Sequence, residues 1–267
     1  MLFGAMNSPV RPLLQEIEEI SGMGFDYLEL SMDPPEAHYS LIRDRREELL
    51  KALAINRMKL VCHLPTFVST ADLTQGLRDA SLKEVIESLK VAADLKPLKI
   101  VLHPSYFSGL GFLVADQAQE YAMNSLNAIV EAADRLGLCL CIENMFTGLR
   151  SLADPEDFVV IFERFPSLKM TLDIGHANIG SKGSKKALRF IETFSGRIYH
   201  IHASDNFGKE DNHLPIGTGT VDYPGIIETL KGIGYQDTVT LEIFSRDRDY
   251  LKISREKLAV MFDAGRS

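Results

Sequence analysis

Apolar positions along the chain fall into two alternating patterns. Short runs rich in branched and aromatic side chains occupy 2–5, 27–30, 59–63, 99–103, 139–143, 169–173, 198–202 and 238–243. Each is short and sharply bounded, which predicts a buried strand. Between them lie longer stretches whose apolar residues recur every three or four positions, such as Leu13, Ile17 and Ile20, or Leu82, Val85, Ile86 and Leu89. That is the spacing of an amphipathic helix. Ser81 followed by Glu84 predicts one helix start, and Asp154-Pro155 ahead of Phe158 predicts another. Gly137 stands where the helix predicted over 118–136 should be capped, and Gly22 and Gly24 close the first helix in the same way. The run Arg43-Asp44-Arg45-Arg46-Glu47-Glu48 reads as the exposed start of a helix.

Eight strands alternating with about eight helices predict a parallel sheet, and eight is the number that closes into a barrel. An open doubly wound sheet would carry a glycine-rich phosphate loop after its first strand. The segment there reads Gly4-Ala5-Met6-Asn7-Ser8-Pro9 and is no such loop. The expectation is therefore an α/β chain forming a single (β/α)8 TIM barrel over residues 1–267, a length close to the roughly 250 residues usual for that fold.

Composition narrows the function. With 45% hydrophobic residues and no long polar tract, the chain can bury a core and is not disordered. The longest uncharged stretch, 101–115, is broken by His103, Pro104 and glycines, so no membrane span is expected. Three cysteines without a CxxC pair and no secretory leader suggest a cytoplasmic protein. A net charge of −8 argues against a nucleic-acid coat and still allows a local basic patch around an acidic, metal-filled cleft.

Position carries the chemistry. His63, His103, Glu143, Asp173, His202 and Glu242 each fall at or near the end of a predicted strand, three to eight in order, at spacings of 40, 40, 30, 29 and 40 residues. In a closed barrel the strand ends converge on one rim, so six side chains distant in sequence would meet there. Three more follow closely: His176, in Thr-Leu-Asp-Ile-Gly-His-Ala, and Asp211 and His213 in the long loop after strand seven. This mixture of imidazole and carboxylate suits a divalent ion such as Zn²⁺ or Mn²⁺, and nine candidates allow one to three ions or leave some for substrate. Cys139 and Cys141 alternate with Glu143 onto the barrel's inner face as small fillers, Cys62 faces the helices, and His200 lies one layer below His202 as a core histidine. Glu29 reads equally as a rim residue or a solvated strand end.

Together these residues resemble the xylose isomerase-like TIM-barrel superfamily, which includes sugar epimerases and isomerases as well as the endonuclease IV family. Leu-Asp-Ile-Gly-His-Ala-Asn and the His202 loop ending Asp-x-His-(x)₃-Gly-x-Gly are the specific part of the match. Similarity to the ketose 3-epimerase type implies one ion on Glu143, Asp173, His202 and Glu242, with His176 near the substrate. Lys209 then stands where that type has an arginine. The ion would stabilise an enediolate while Glu143 and Glu242 pass the proton. Similarity to endonuclease IV implies a trinuclear zinc phosphodiesterase acting on abasic DNA. Its ions would be held by His63, His103 and Glu143, by Asp173, His202 and Glu242, and by His176, Asp211 and His213. Yet the tyrosine that grips DNA is Thr66 here, and the segment Glu143-Asn144-Met145-Phe146-Thr147-Gly148-Leu149 lacks that family's glutamine. The balance therefore favours an isomerase or epimerase of a small sugar or sugar phosphate. A non-catalytic metal-binding barrel would need only about four closed ligands.

Overall fold

Inward and outward faces alternate along eight short strands, and that alternation organises the molecule. The computed structural model describes residues 1–148 and 151–264, so Leu149 and the end of the 1–267 span lie outside the described residues. The strands are β1 (Leu2–Met6), β2 (Tyr27–Ser31), β3 (Lys59–His63), β4 (Ile100–Leu102), β5 (Leu140–Glu143), β6 (Lys169–Asp173), β7 (Ile198–Ala203) and β8 (Thr238–Leu241). All neighbours are parallel and the sheet closes in sequence order, with Phe3 of β1 opposite Val239 of β8. The fold is a (β/α)8 TIM barrel; closure removes the open-sheet alternative.

Outward residues such as Leu28, Leu60, Cys62, Ile100 and Ile142 join the main core with the surrounding helices, while Tyr27, Val61 and Val101 pack within the barrel. Tyr27 fits there because residue 4 has no side chain: a Cβ on Gly4 would overlap the tyrosine ring. Bulk on one strand is accommodated by its absence on the next.

Around the barrel run α1 (Leu13–Gly22), α2 (Tyr39–Asp44), α3 (Arg46–Ile55), α4 (Gln75–Leu95), α5 (Ala115–Arg135), α6 (Pro155–Arg164), α7 (Ile174–Asn178), α8 (Lys185–Phe194), α9 (Tyr223–Gly232) and α10 (Asp249–Asp263). Asp154 and Asp157 cap α6 reciprocally with Pro155 at its first turn, as the sequence suggested. Gly137 takes φ +68° just beyond α5. Two local expectations fail. Helix α4 begins at Gln75 rather than at Ser81, whose hydroxyl instead accepts the Ser69 amide at 3.0 Å and pins the loop after β3. Glu84 meets His38 at 3.0 Å instead of capping. The charged run at 43–48 ends α2 and begins α3, divided at Arg45, rather than starting one helix.

Candidate active site

The strand register determines which side chains meet. His63, Glu143 and Asp173 end β3, β5 and β6; His103 and Glu242 lie one residue beyond β4 and β8; His202 is the penultimate residue of β7. Asp173 pairs directly with His202 across β6 and β7. All six therefore gather at the C-terminal rim, and His176, Asp211 and His213 join them from the following segments.

Glu143 is the centre of this group. Its Oε2 lies 3.6 Å from His63 Nε2, 3.3 Å from His103 Nε2 and 3.3 Å from His202 Nδ1. The same His202 Nδ1 is 3.1 Å from Glu242 Oε1 and 3.8 Å from Asp173 Oδ2. These contacts are close, but Glu143 Oε1, Glu143 Oε2 and His202 Nδ1 are all buried without a hydrogen-bond partner. Buried polar atoms left unpaired are costly. A divalent cation would satisfy them, and carboxylate oxygen with imidazole nitrogen is a suitable donor set. Among the described residues four such groups bring their donor atoms within 4.8 Å of one another: Glu143, Asp173 and His202; His63, His103 and Glu143; and, one layer deeper, Glu29, His200 and His202, and Glu29, His63 and Glu242.

Electrostatics mark the same spot. Burial raises the Glu143 carboxyl, but the His202 and His103 charges outweigh it and hold the group well below the carboxylate range. Burial, with Glu143 and Glu242 adding repulsion against the pull of His176, pushes Asp173 up to about 7. Burial lowers His63, yet Glu143 overrides it and raises the ring to about 9. These groups compete for protons in a space that a cation could share.

The other three residues behave differently. His176 Nδ1 donates to the Asn144 carbonyl at 2.9 Å and Nε2 to Asp211 Oδ2 at 3.2 Å. His213 Nδ1 donates to the Glu242 carbonyl at 3.0 Å, and its Nε2 lies 2.8 Å from the same Asp211 oxygen. Both nitrogens of each ring are committed, so the three residues form a hydrogen-bonded wall around Asp211. Burial lowers His213, but the Asp211 bond and the charge of Glu242 lift it to about 9. Local structure explains the placement of His176: Asp173 Oδ1 accepts its backbone N–H at 2.6 Å and caps α7.

Two residues stand elsewhere than the sequence suggested. Lys209 is exposed in the loop after β7 and is not among the residues lining the cleft. Glu29 is no solvated strand end: it is fully buried, and its two oxygens lie 2.9 Å from His202 Nε2 and 2.9 Å from His200 Nε2. His200 is the core histidine expected, with its Nδ1 2.7 Å from Thr238 Oγ1. The only sequence signal for Glu29 was its place near the end of a predicted strand.

Above the cluster opens a cleft of about 1000 Å³, walled by His63, His103, His176, His213 and Glu242 on the polar side and by Tyr106, Met145, Phe146 and Phe244 on the apolar side. Its described lining contains no lysine or arginine. Mixed apolar walls with a few convergent polar groups are the usual form of a small-molecule site.

A parallel barrel with a buried histidine–carboxylate cluster at its C-terminal rim defines a class of rim-site barrel proteins. Residues 17–264 match the family described as xylose isomerase-like TIM barrel, and the chain belongs to that family. An uncharacterised protein of Methanocaldococcus jannaschii is 28% identical, with 97% of this chain and 92% of that protein covered. An L-ribulose-5-phosphate 3-epimerase of Salmonella paratyphi A is 22% identical over 87% of this chain and 82% of the epimerase. Among solved structures, a D-tagatose 3-epimerase-like protein superposes with a TM-score of 0.87 at 27% identity, covering 98% of this chain and 97% of that one.

Proposed function

We propose that the protein is a divalent-cation-dependent epimerase or isomerase of a small sugar or sugar phosphate. The observation that carries this reading is the convergence of Glu143, from the end of β5, and Glu242, from just beyond β8, on the single unpaired nitrogen of His202. Glu143, Asp173, His202 and Glu242 would hold the ion, which when bound supplies the positive charge that steadies an oxygen gaining negative charge beside a breaking C–H bond. Zinc or manganese suits these donors. The sugar-epimerase relatives support the reading.

Substrate would enter the cleft with its carbon chain against Phe146 and Phe244 and its hydroxyls toward the polar wall. His176 and His213, held against Asp211, form part of the polar wall that those hydroxyls face. Glu242 lines the cleft and Glu143 lies beneath it, so the two carboxylates address a bound carbon from different directions. One takes the proton from the carbon beside a carbonyl, and the other returns a proton to the opposite face. No atom is gained or lost, and the configuration inverts. Phe146 and Phe244 help exclude water while the carbon is deprotonated.

One observation favours a second reading. His63, His103 and Glu143 could hold another ion, as a multinuclear phosphodiesterase requires. Against it, the described cleft lining offers no lysine or arginine to a phosphate backbone. The test measures exchange of the substrate α-proton with deuterium for a panel of ketoses and ketose phosphates, beside nicking of an abasic-site oligonucleotide. Sugar turnover that falls about 10²–10⁴-fold in Glu242→Gln, with metal occupancy kept, supports the epimerase reading. Metal-dependent nicking without sugar turnover overturns it.

A further inference from the structure

Below the candidate site, a chain of buried hydrogen bonds runs the height of the barrel. At the N-terminal mouth Lys99 Nζ meets Asp237 Oδ1 at 2.5 Å and donates to Thr238 Oγ1 at 2.9 Å. Thr238 Oγ1 lies 2.7 Å from His200 Nδ1, and His200 Nε2 lies 2.9 Å from Glu29 Oε2. Glu29 Oε1 lies 2.9 Å from His202 Nε2. Thr240 Oγ1 also donates to Glu29 Oε2, while the Tyr27 hydroxyl lies 2.7 Å from Thr240 Oγ1.

The donor inventory gives every link a direction. A carboxylate only accepts, so His200 carries a hydrogen on Nε2 and donates to Glu29. Lysine has only donors, so Thr238 Oγ1 accepts from Lys99, and its own hydrogen is directed to His200 Nδ1 at 2.7 Å in preference to the Tyr199 carbonyl at 3.4 Å. His202 must likewise donate to Glu29 from Nε2. Its Nδ1 is left with a lone pair aimed at Glu143, Asp173 and Glu242 whenever a cation occupies that space.

We propose that Glu29 is a positioning residue: seated between His200 and His202, it fixes the tautomer and plane of the His202 ring so that Nδ1 faces the cation. This rests on the reading that His202 ligates a cation. A carboxylate behind a ligating imidazole orients the ring and raises its basicity. Here the carboxylate is itself held by a second histidine, whose tautomer is fixed by Thr238 and Lys99 from the far end of the barrel. The arrangement accounts for an ionised glutamate and a histidine placed where a barrel interior normally carries aliphatic side chains.

Glu29→Gln tests it. An amide offers one acceptor and one donor pair, so one of the two rings must present a lone pair to it. Glu29 Oε2 accepts from both His200 and Thr240, so the amide oxygen takes that side and the amide nitrogen faces His202, whose hydrogen moves to Nδ1 and points at the cation. Zinc affinity, measured by competition with a chromophoric chelator, should fall about 10–100-fold. Thr240→Val is the control: it also removes a buried hydrogen bond to Glu29 but leaves both ring contacts, and its zinc affinity should match wild type. A merely structural role would weaken both variants alike. A second measurement needs no variant: ¹⁵N-histidine spectra of the zinc-loaded wild type should show His202 protonated at Nε2 and bound through Nδ1. Equal zinc affinity in wild type and Glu29→Gln, or His202 bound through Nε2, overturns the inference alone. A wild type that takes up no divalent cation overturns the cation reading, and this inference with it.

Discussion

With no cation at the Glu143 centre, groups there hold protons, and their pKa values give the stability a signed pH dependence. His63 and His213 are both raised from 6.5 to about 9, and Asp173 is raised from 3.8 to about 7. In each case the folded state keeps a proton that the unfolded chain has already lost. The histidine contribution is complete below pH 6.5 and is lost as pH rises through about 9; that of Asp173 is lost between about 4 and 7. His63, almost wholly buried, contributes about 3 kcal/mol by itself at 1.36 kcal/mol per pH unit. The groups share partners and do not add, so about 3 kcal/mol is the working figure, or roughly 6–12 °C in Tm for a chain of this size. Cys139 opposes the trend, since the hydrogen bond with Cys141, against burial, brings its thiol to about 7. It lies on β5's approach to the barrel, away from the rim, and acts equally with and without cation. The assay is urea unfolding at pH 6.5 and 9, with EDTA and with buffered free zinc, read as the difference between the two states. That difference should widen toward pH 9, and calorimetry in buffers of different ionisation enthalpy should show protons released on zinc binding. A difference that stays constant or narrows over this interval would refute the reasoning.

Two predictions concern the scaffold. Gly4→Ala forces a Cβ into the Tyr27 ring and should cost about 1–3 kcal/mol in urea unfolding; an unchanged midpoint would mean that the barrel interior yields more readily than its packing implies. Asp205 is fully buried, and its oxygens accept the amides of Asn206 at 2.9 Å, Gly217 at 2.9 Å and Val221 at 3.1 Å, tying down the loop that carries Asp211 and His213. Asp205→Asn turns an amide donor against one of these N–H groups. It should cost about 1.5–3 kcal/mol and speed hydrogen exchange at Gly217 and Val221, whereas wild-type protection at both would count against the role assigned to Asp205.

The architecture and the rim cluster were legible because both follow from periodicity. A strand buried on both faces reads as a continuous apolar run, and the residue ending it must lie on the rim once the barrel closes. Hence the meeting of His63, His103, Glu143, Asp173, His202 and Glu242 could be foreseen without knowing any contact. The start of α4 could not, because the Ser81–Glu84 spacing that mimics a cap is occupied by tertiary partners, Ser69 and His38.

What the sequence determined by itself is therefore local and periodic: where the strands lie, which faces point inward, and which side chains stand at strand ends. Tertiary structure alone decided what each polar group pairs with. Glu29 was expected near the end of its strand like the other acids, yet β2 runs on to Ser31, which pairs with His63, so Glu29, level with Val61, lies buried one layer below the rim. His176 and His213 stand among the metal-ligand candidates in sequence, and the path of the His202 loop is what sets both rings against Asp211. The same loop carries Lys209 outward. Hydrogen-bond partners depend on distances between segments far apart in the chain, and spacing along one segment carries no record of those distances.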